Sequence, residues 1–158
     1  MPSWLFILTL LAALGSGIMT GLFFAFSAFI MQAFARRPAS VGIAAMQSIN
    51  ETILKPIFFL VFFGTAALSL VLATLAAIGW DSPAAGWRLA GGLLYLAGAI
   101  GVTMFWNVPL NNELARVAPE TAEAASVWAR YLKVWTGWNH VRTVACLAAT
   151  AGFILGMR

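Results

Sequence analysis

The sequence predicts an all-α integral membrane protein, a four-helix bundle of up-down-up-down topology whose helices 2 and 4 extend beyond the bilayer on the cytoplasmic side. Three observations predict it. Of 158 residues, 62% are hydrophobic and only 9% charged, with a mean hydropathy of +0.91; so few charges cannot solvate a globular domain of this size, and lipid must serve as part of the solvent. Charge-free stretches run from Met1 to Ala35, from Pro56 to Trp80, from Leu89 to Asn112 and from Thr143 to Met157. Amphipathic helical patterns precede the second and fourth of these. Four spans of about 20 residues occupy roughly half of the chain, which leaves room for a single domain, 1–158.

The first span, about 4–35, lacks the basic segment that opens a secretory signal and is expected to be retained. Ala13, Gly17, Gly21 and Ala25 form a small-residue ridge on it, and Gly98 and Gly101 offer a similar surface on the third span. Such ridges let a second helix approach closely, within the protomer or in a homo-oligomer. Over 39–55, Met46, Gln47, Asn50 and Leu54 share one helical face. Nothing there breaks the chain strongly before the second span, 56–79, although Lys55-Pro56 is placed to kink it. Asp81 to Gly86 reads as a short turn-rich connection to the third span, 88–108.

Over 119–137, Trp128, Tyr131, Leu132, Trp135, Trp138 and Asn139 make one stripe, while Glu123, Ser126, Arg130 and Lys133 lie away from it. Glu120 and Glu123 suit the first turn of a helix, where they complement its dipole. Thr143 to Met157 is short for a span, so the fourth, 138–157, begins earlier and carries Arg142 to the membrane edge. A continuous helix from Pro119 to Met157 is about 58 Å long, well beyond the roughly 30 Å hydrocarbon core.

The net charge of +4 does not point to nucleic acid, because the nine basic residues are scattered rather than clustered. Arg36, Arg37, Lys55, Arg116, Arg130 and Lys133 fall on the side of the first and third connections, against Arg88 and Arg158 on the other. That asymmetry places those connections in the cytoplasm and both termini on the non-cytoplasmic side, in a plasma (inner) membrane. Cys146 stands alone in an apolar run and reads as a packing residue. With one His and one Cys there is no metal-ligand set at a recognisable spacing, and no metal site is expected; heme ligation by His140 alone is conceivable, by two histidines of one protomer impossible.

Polar groups at membrane depth mark a cavity or a ligand path when they face other helices. Three clusters lie toward the same predicted side: Gln47 with Asn50 and Glu51; Asn107, Asn111 and Asn112 around Pro109; and Trp135, Trp138, Asn139, His140 and Arg142. The plainer account of the asparagines is that they satisfy carbonyls freed near Pro109. His140 is the natural general base by its ordinary titration range, its alternative being a packing or hydrogen-bonding residue. Arg142 shares the aromatic stripe and suits an enolate or phenolate oxygen, or else is an arginine reaching to lipid phosphate. On an ideal helix His140 and Arg142 point about 200° apart, so one cavity holds both only if it is wide or the helix distorted. Trp135 and Trp138 suit a flat aromatic ligand, whereas Trp4, Trp80 and Trp87 read as interfacial anchors.

The segments Phe24-Ala25-Phe26-Ser27, Met46-Gln47-Ser48-Ile49-Asn50, Asn107-Val108-Pro109-Leu110-Asn111-Asn112-Glu113-Leu114 and Trp135-Thr136-Gly137-Trp138-Asn139-His140-Val141-Arg142-Thr143 together resemble the anthrone oxygenase-like family of four-span membrane proteins. The resemblance implies oxidation of a hydrophobic aromatic, an anthrone or a quinol, by O2 without metal or flavin. That chemistry needs a base, an oxyanion partner and an apolar aromatic pocket, and the residues expected to supply them are His140 as base, Arg142 with Asn107 or Asn111 on the oxyanion, Trp135 and Trp138 against the rings, and Asn139, Asn50 and Gln47 in the substrate site. The competing expectation is a non-enzymatic membrane module that binds a lipid, a small hydrophobic molecule or a partner protein. A transporter is disfavoured, because the four spans show no inverted repeat.

Overall fold

The computed structural model describes residues 1–80 and 83–158, so Asp81 and Ser82 of the expected connection lie outside the described residues. The described chain forms five helices and no strand: α1 (Ser3–Ala35), α2 (Ala39–Thr52), α3 (Pro56–Ile78), α4 (Pro83–Leu114) and α5 (Ala122–Leu155). Three of them, α1, α3 and α4, are long and apolar enough to cross a membrane. Their outward side chains, among them Leu14, Ile18, Leu60, Ile78 and Phe105, are exposed and apolar, which makes this an integral membrane protein with lipid against its flanks. α5 is less apolar because Asn139, His140 and Arg142 interrupt it.

The second helix is not the continuous rod expected from 39 to 79. It divides into α2 and α3, because Pro56 opens α3 and forces Lys55 into an extended conformation (φ −110°, ψ 154°). α5, by contrast, runs unbroken for 34 residues through Gly137, its first turn capped by the Thr121 hydroxyl, which accepts from Ala124 N at 3.2 Å. Pro83 to Gly86, expected as turn, are instead the first turn of α4, where a proline loses no hydrogen bond.

Over-wide π turns interrupt α1 at Phe26–Ile30 and α4 at Tyr95–Gly101 and Thr103–Asn107. The last accommodates Pro109, which has no N–H to give and whose ring crowds the preceding turn. Close approaches fall where small residues face one another: a Cβ on Gly92 would lie 2.6 Å from Ser69 O, and one on Gly152 3.1 Å from the Gly91 Cα. Gly98 likewise faces Ala145. The expected ridge on α1 is only partly used, for Ala13 is buried while Gly21 is exposed with nothing within 4 Å of an added Cβ.

Two apolar clusters make the core. One, around Met19, Phe23, Phe62, Tyr95, Cys146 and Phe153, joins α1, α3, α4 and α5. The other, around Phe26, Met46, Leu114, Trp128, Tyr131 and Trp135, gathers α2 and the start of α5 at the end that bears the α1–α2 and α4–α5 connections. The buried polar residues Asn107, Asn139, Arg142 and Thr143 sit on the same stretches of α4 and α5.

Candidate functional site

Where the two clusters meet, a cavity of about 110 Å³ opens between all five helices, α3 contributing Phe58. Phe23, Phe26, Met46, Phe58 and Trp135 give it apolar walls, and its polar lining is Asn50, Asn111, Thr103 and Arg142. A second, more polar cavity of about 320 Å³ adjoins it, sharing Asn50, Leu54, Val108 and Asn111 and adding Gln47, Glu51 and Asn112. We call it the vestibule and the first the inner cavity.

Among the described residues, Arg142 is the only ionisable one that lines the inner cavity. It is 6% exposed. Its guanidinium donates to Asn139 Oδ1 at 2.7 Å and to Thr103 Oγ1 at 3.2 Å, and lies over the rings of Phe23 (4.2 Å) and Trp135 (5.1 Å). Among the described residues no carboxylate pairs with it, the one ion pair being Arg130 with Glu113. Its buried Nε has no partner. Neutral acceptors and ring faces thus hold the charge in place without cancelling it, and the surplus field points into an apolar space.

Asn139 is the support. Its Nδ2 donates to Phe23 O and to Ser27 Oγ, both at 2.7 Å. Because Thr143 donates to Asn139 O (2.9 Å), Ser27 Oγ is the donor to Thr143 Oγ1 (3.0 Å). The ring of bonds pins α1 to α5 just ahead of and within the π turn at Phe26–Ile30, and fixes the Asn139 amide so that its oxygen faces Arg142.

Asn111 is oriented in the same way. Its Oδ1 accepts from Tyr131 Oη (2.8 Å) and from Trp135 Nε1 (2.7 Å), which leaves its NH2 as the group free to donate into the cavity. Burial pushes the Tyr131 phenol above its ordinary titration range, with Asn50 and Arg142 opposing, so it serves as a neutral donor. Trp128, Tyr131 and Trp135 stack at 5.7 and 5.5 Å along α5, which keeps the Trp135 indole rigid at the cavity wall.

The family model of anthrone oxygenase matches residues 58–152, more than half of the chain. The chain belongs to that family. No curated protein and no solved structure matches it. In this member of the anthrone oxygenase family the matched stretch carries Thr103, Asn107, Asn111, Trp135, Asn139 and Arg142, whereas Asn50 and the phenylalanines of α1 precede it.

Arg142, Asn111, Asn50 and Trp135 meet in the inner cavity, with Gln47 in the vestibule. Asn139 and Asn107 do not line either. Asn107 is fully buried and donates to Trp135 O at 3.1 Å, a structural tie between α4 and α5, with its Oδ1 left without a partner. Gln47 spends its NH2 on Leu114 O (2.9 Å) and Val117 O (3.0 Å), closing the end of α4. Trp138 lies outside the cavity, stacked on Trp106 at 4.3 Å. His140 is exposed and lines neither cavity, because the regular α5 keeps it on the face opposite Arg142. Phe23, Phe26 and Thr103 were not foreseen. Thr103 alone had a sequence signal, a hydroxyl four residues before Asn107 in an apolar span. No three His, Cys, Asp or Glu side chains converge as metal ligands among the described residues.

Proposed function

We propose that the protein is a membrane-embedded oxygenase that acts on a hydrophobic, anthrone- or quinol-like aromatic without a cofactor. The observation that carries this reading is the buried, carboxylate-free Arg142 at the wall of an aromatic cavity. Removal of a proton from the methylene carbon of an anthrone yields a delocalised carbanion whose charge rests largely on the former carbonyl oxygen. The carbanion adds O2, and the resulting hydroperoxide loses water, so that one CH2 and one O2 become one C=O and one H2O. The protein then has two tasks, to favour the anion over its conjugate acid and to exclude bulk water from it.

Arg142 and the Asn111 NH2 would hold the oxyanion, Thr103 and Asn139 would position Arg142, and Trp135 with the α1 phenylalanines would pack on the rings. We do not carry the base over to His140, since it faces away from the cavity. The substrate would instead enter neutral and lose its proton to water only once its oxygen lies against Arg142, whose charge favours the conjugate base. In this reading α5 is a fourth crossing, packed against α1 and α4 to complete an up-down-up-down bundle. The excess of basic residues at the vestibule end would place that end in the cytoplasm.

A cavity without an ionisable base also suits a non-catalytic module that holds a hydrophobic anion. The two readings part on turnover. Purified protein in detergent is incubated with an anthrone first without and then with oxygen, following quinone absorbance and oxygen uptake. Oxygen-dependent quinone formation above the spontaneous rate supports the oxygenase, and none above it favours the binding module.

A further inference from the structure

The vestibule has a polarity of its own, and hydrogen-bond bookkeeping reveals it. Both protons of the Gln47 amide are committed to Leu114 O and Val117 O, so that side chain presents only its Oε1 to the space it lines. Glu51 adds a carboxylate, and no cationic side chain is among the lining residues. Lys55, one turn beyond Glu51, stands past the end of α2 and makes no ion pair with it. Beside the amides of Asn50, Asn111 and Asn112, the vestibule therefore offers a fixed acceptor at Gln47 and a negative charge at Glu51, while the adjoining inner cavity carries the positive charge of Arg142. Because Asn50, Leu54, Val108 and Asn111 wall both spaces, one ligand can extend from one into the other.

From this we infer that the vestibule is a second subsite, selecting ring systems whose outer substituent donates hydrogen bonds, such as a hydroxyl or hydroxymethyl group, and rejecting those that carry a carboxylate there. This rests on the proposed reading that an aromatic anion occupies the inner cavity. Like charges a few ångströms apart at a partly solvated site repel enough to separate two such ligands by about tenfold.

Binding of two oxidation-inert probes to the full-length protein in lipid nanodiscs tests it: 1,8-dihydroxyanthraquinone bearing either a 3-hydroxymethyl or a 3-carboxyl group, followed by tryptophan quenching at neutral pH. The wild type is expected to bind the hydroxymethyl compound about tenfold more tightly. Glu51→Lys, a change at an exposed position, is expected to abolish or reverse the preference, with Glu51→Gln between the two. Equal binding of both probes by the wild type, or a preference unaltered in Glu51→Lys, would overturn the inference while leaving the inner site intact. Failure of both probes to bind the wild type would overturn the inference together with the reading beneath it.

Discussion

Arg142 donates to Asn139 Oδ1 at 2.7 Å, three residues back on the same helix, while Asn139 is itself anchored to α1 through Phe23 O and Ser27 Oγ. The cation that lines the cavity is therefore aimed by a residue that never reaches it. Such an amide acts by positioning, and its loss separates geometry from chemistry.

Asn139→Leu keeps approximate volume and removes those bonds. It leaves an Arg142 N–H without its partner, at a cost of about 1–3 kcal/mol, while Phe23 O keeps the Phe26 N–H. Thermal unfolding in detergent is expected to show a lowered midpoint, and at a temperature where the variant remains folded its turnover falls at least about tenfold. Unchanged turnover would show that Arg142 is held by other means.

His140→Ala is expected to retain turnover within about twofold, since removing an exposed side chain on the far face of α5 leaves the cavity untouched. Initial rates of quinone formation for the two proteins decide it. A loss of tenfold or more would restore His140 to the role of base.

Asn111→Asp retains an acceptor for Tyr131 and Trp135 but replaces the cavity-facing NH2 with an anionic oxygen. Anion binding is expected to weaken by about a hundredfold while the Trp135 environment, read by near-UV circular dichroism, stays native. If affinity survived the change, Asn111 would be a packing residue only.

Gly92→Ala is expected to destabilise by about 1–3 kcal/mol, because its Cβ meets the Ser69 carbonyl at 2.6 Å and backbone cannot yield cheaply. Gly21→Ala, in open space on α1, is expected to be neutral or stabilising by up to about 1 kcal/mol. Denaturation midpoints of the pair test which glycines hold the helices together.

The sequence made the membrane character and the long α5 legible because both rest on composition and periodicity. Of the six residues of the α5 stripe, Trp128, Tyr131, Trp135 and Asn139 are buried, while Leu132 and Trp138, at its margins, are half-buried. Regularity also decides the pair left open at 200°, in favour of Arg142 and against His140. What stayed hidden depends on local departures from ideal geometry. The break at Lys55 is a proline effect that reads equally well as a kink. The π turns rotate Thr103 and Asn107 relative to the rest of α4, so an ideal helical wheel misassigns the two of them. Phe23 and Phe26 are two apolar residues in a span full of them, and only the partner across the cavity distinguishes them.

The central claim is that Arg142 stabilises the substrate anion, and oxygen uptake with an anthrone by the wild type and by Arg142→Gln in nanodiscs tests it most directly. The account predicts oxygen-dependent quinone formation by the wild type and a fall of at least about a hundredfold in Arg142→Gln, with native helicity and elution preserved. An Arg142→Gln protein that turned over at the wild-type rate would contradict it.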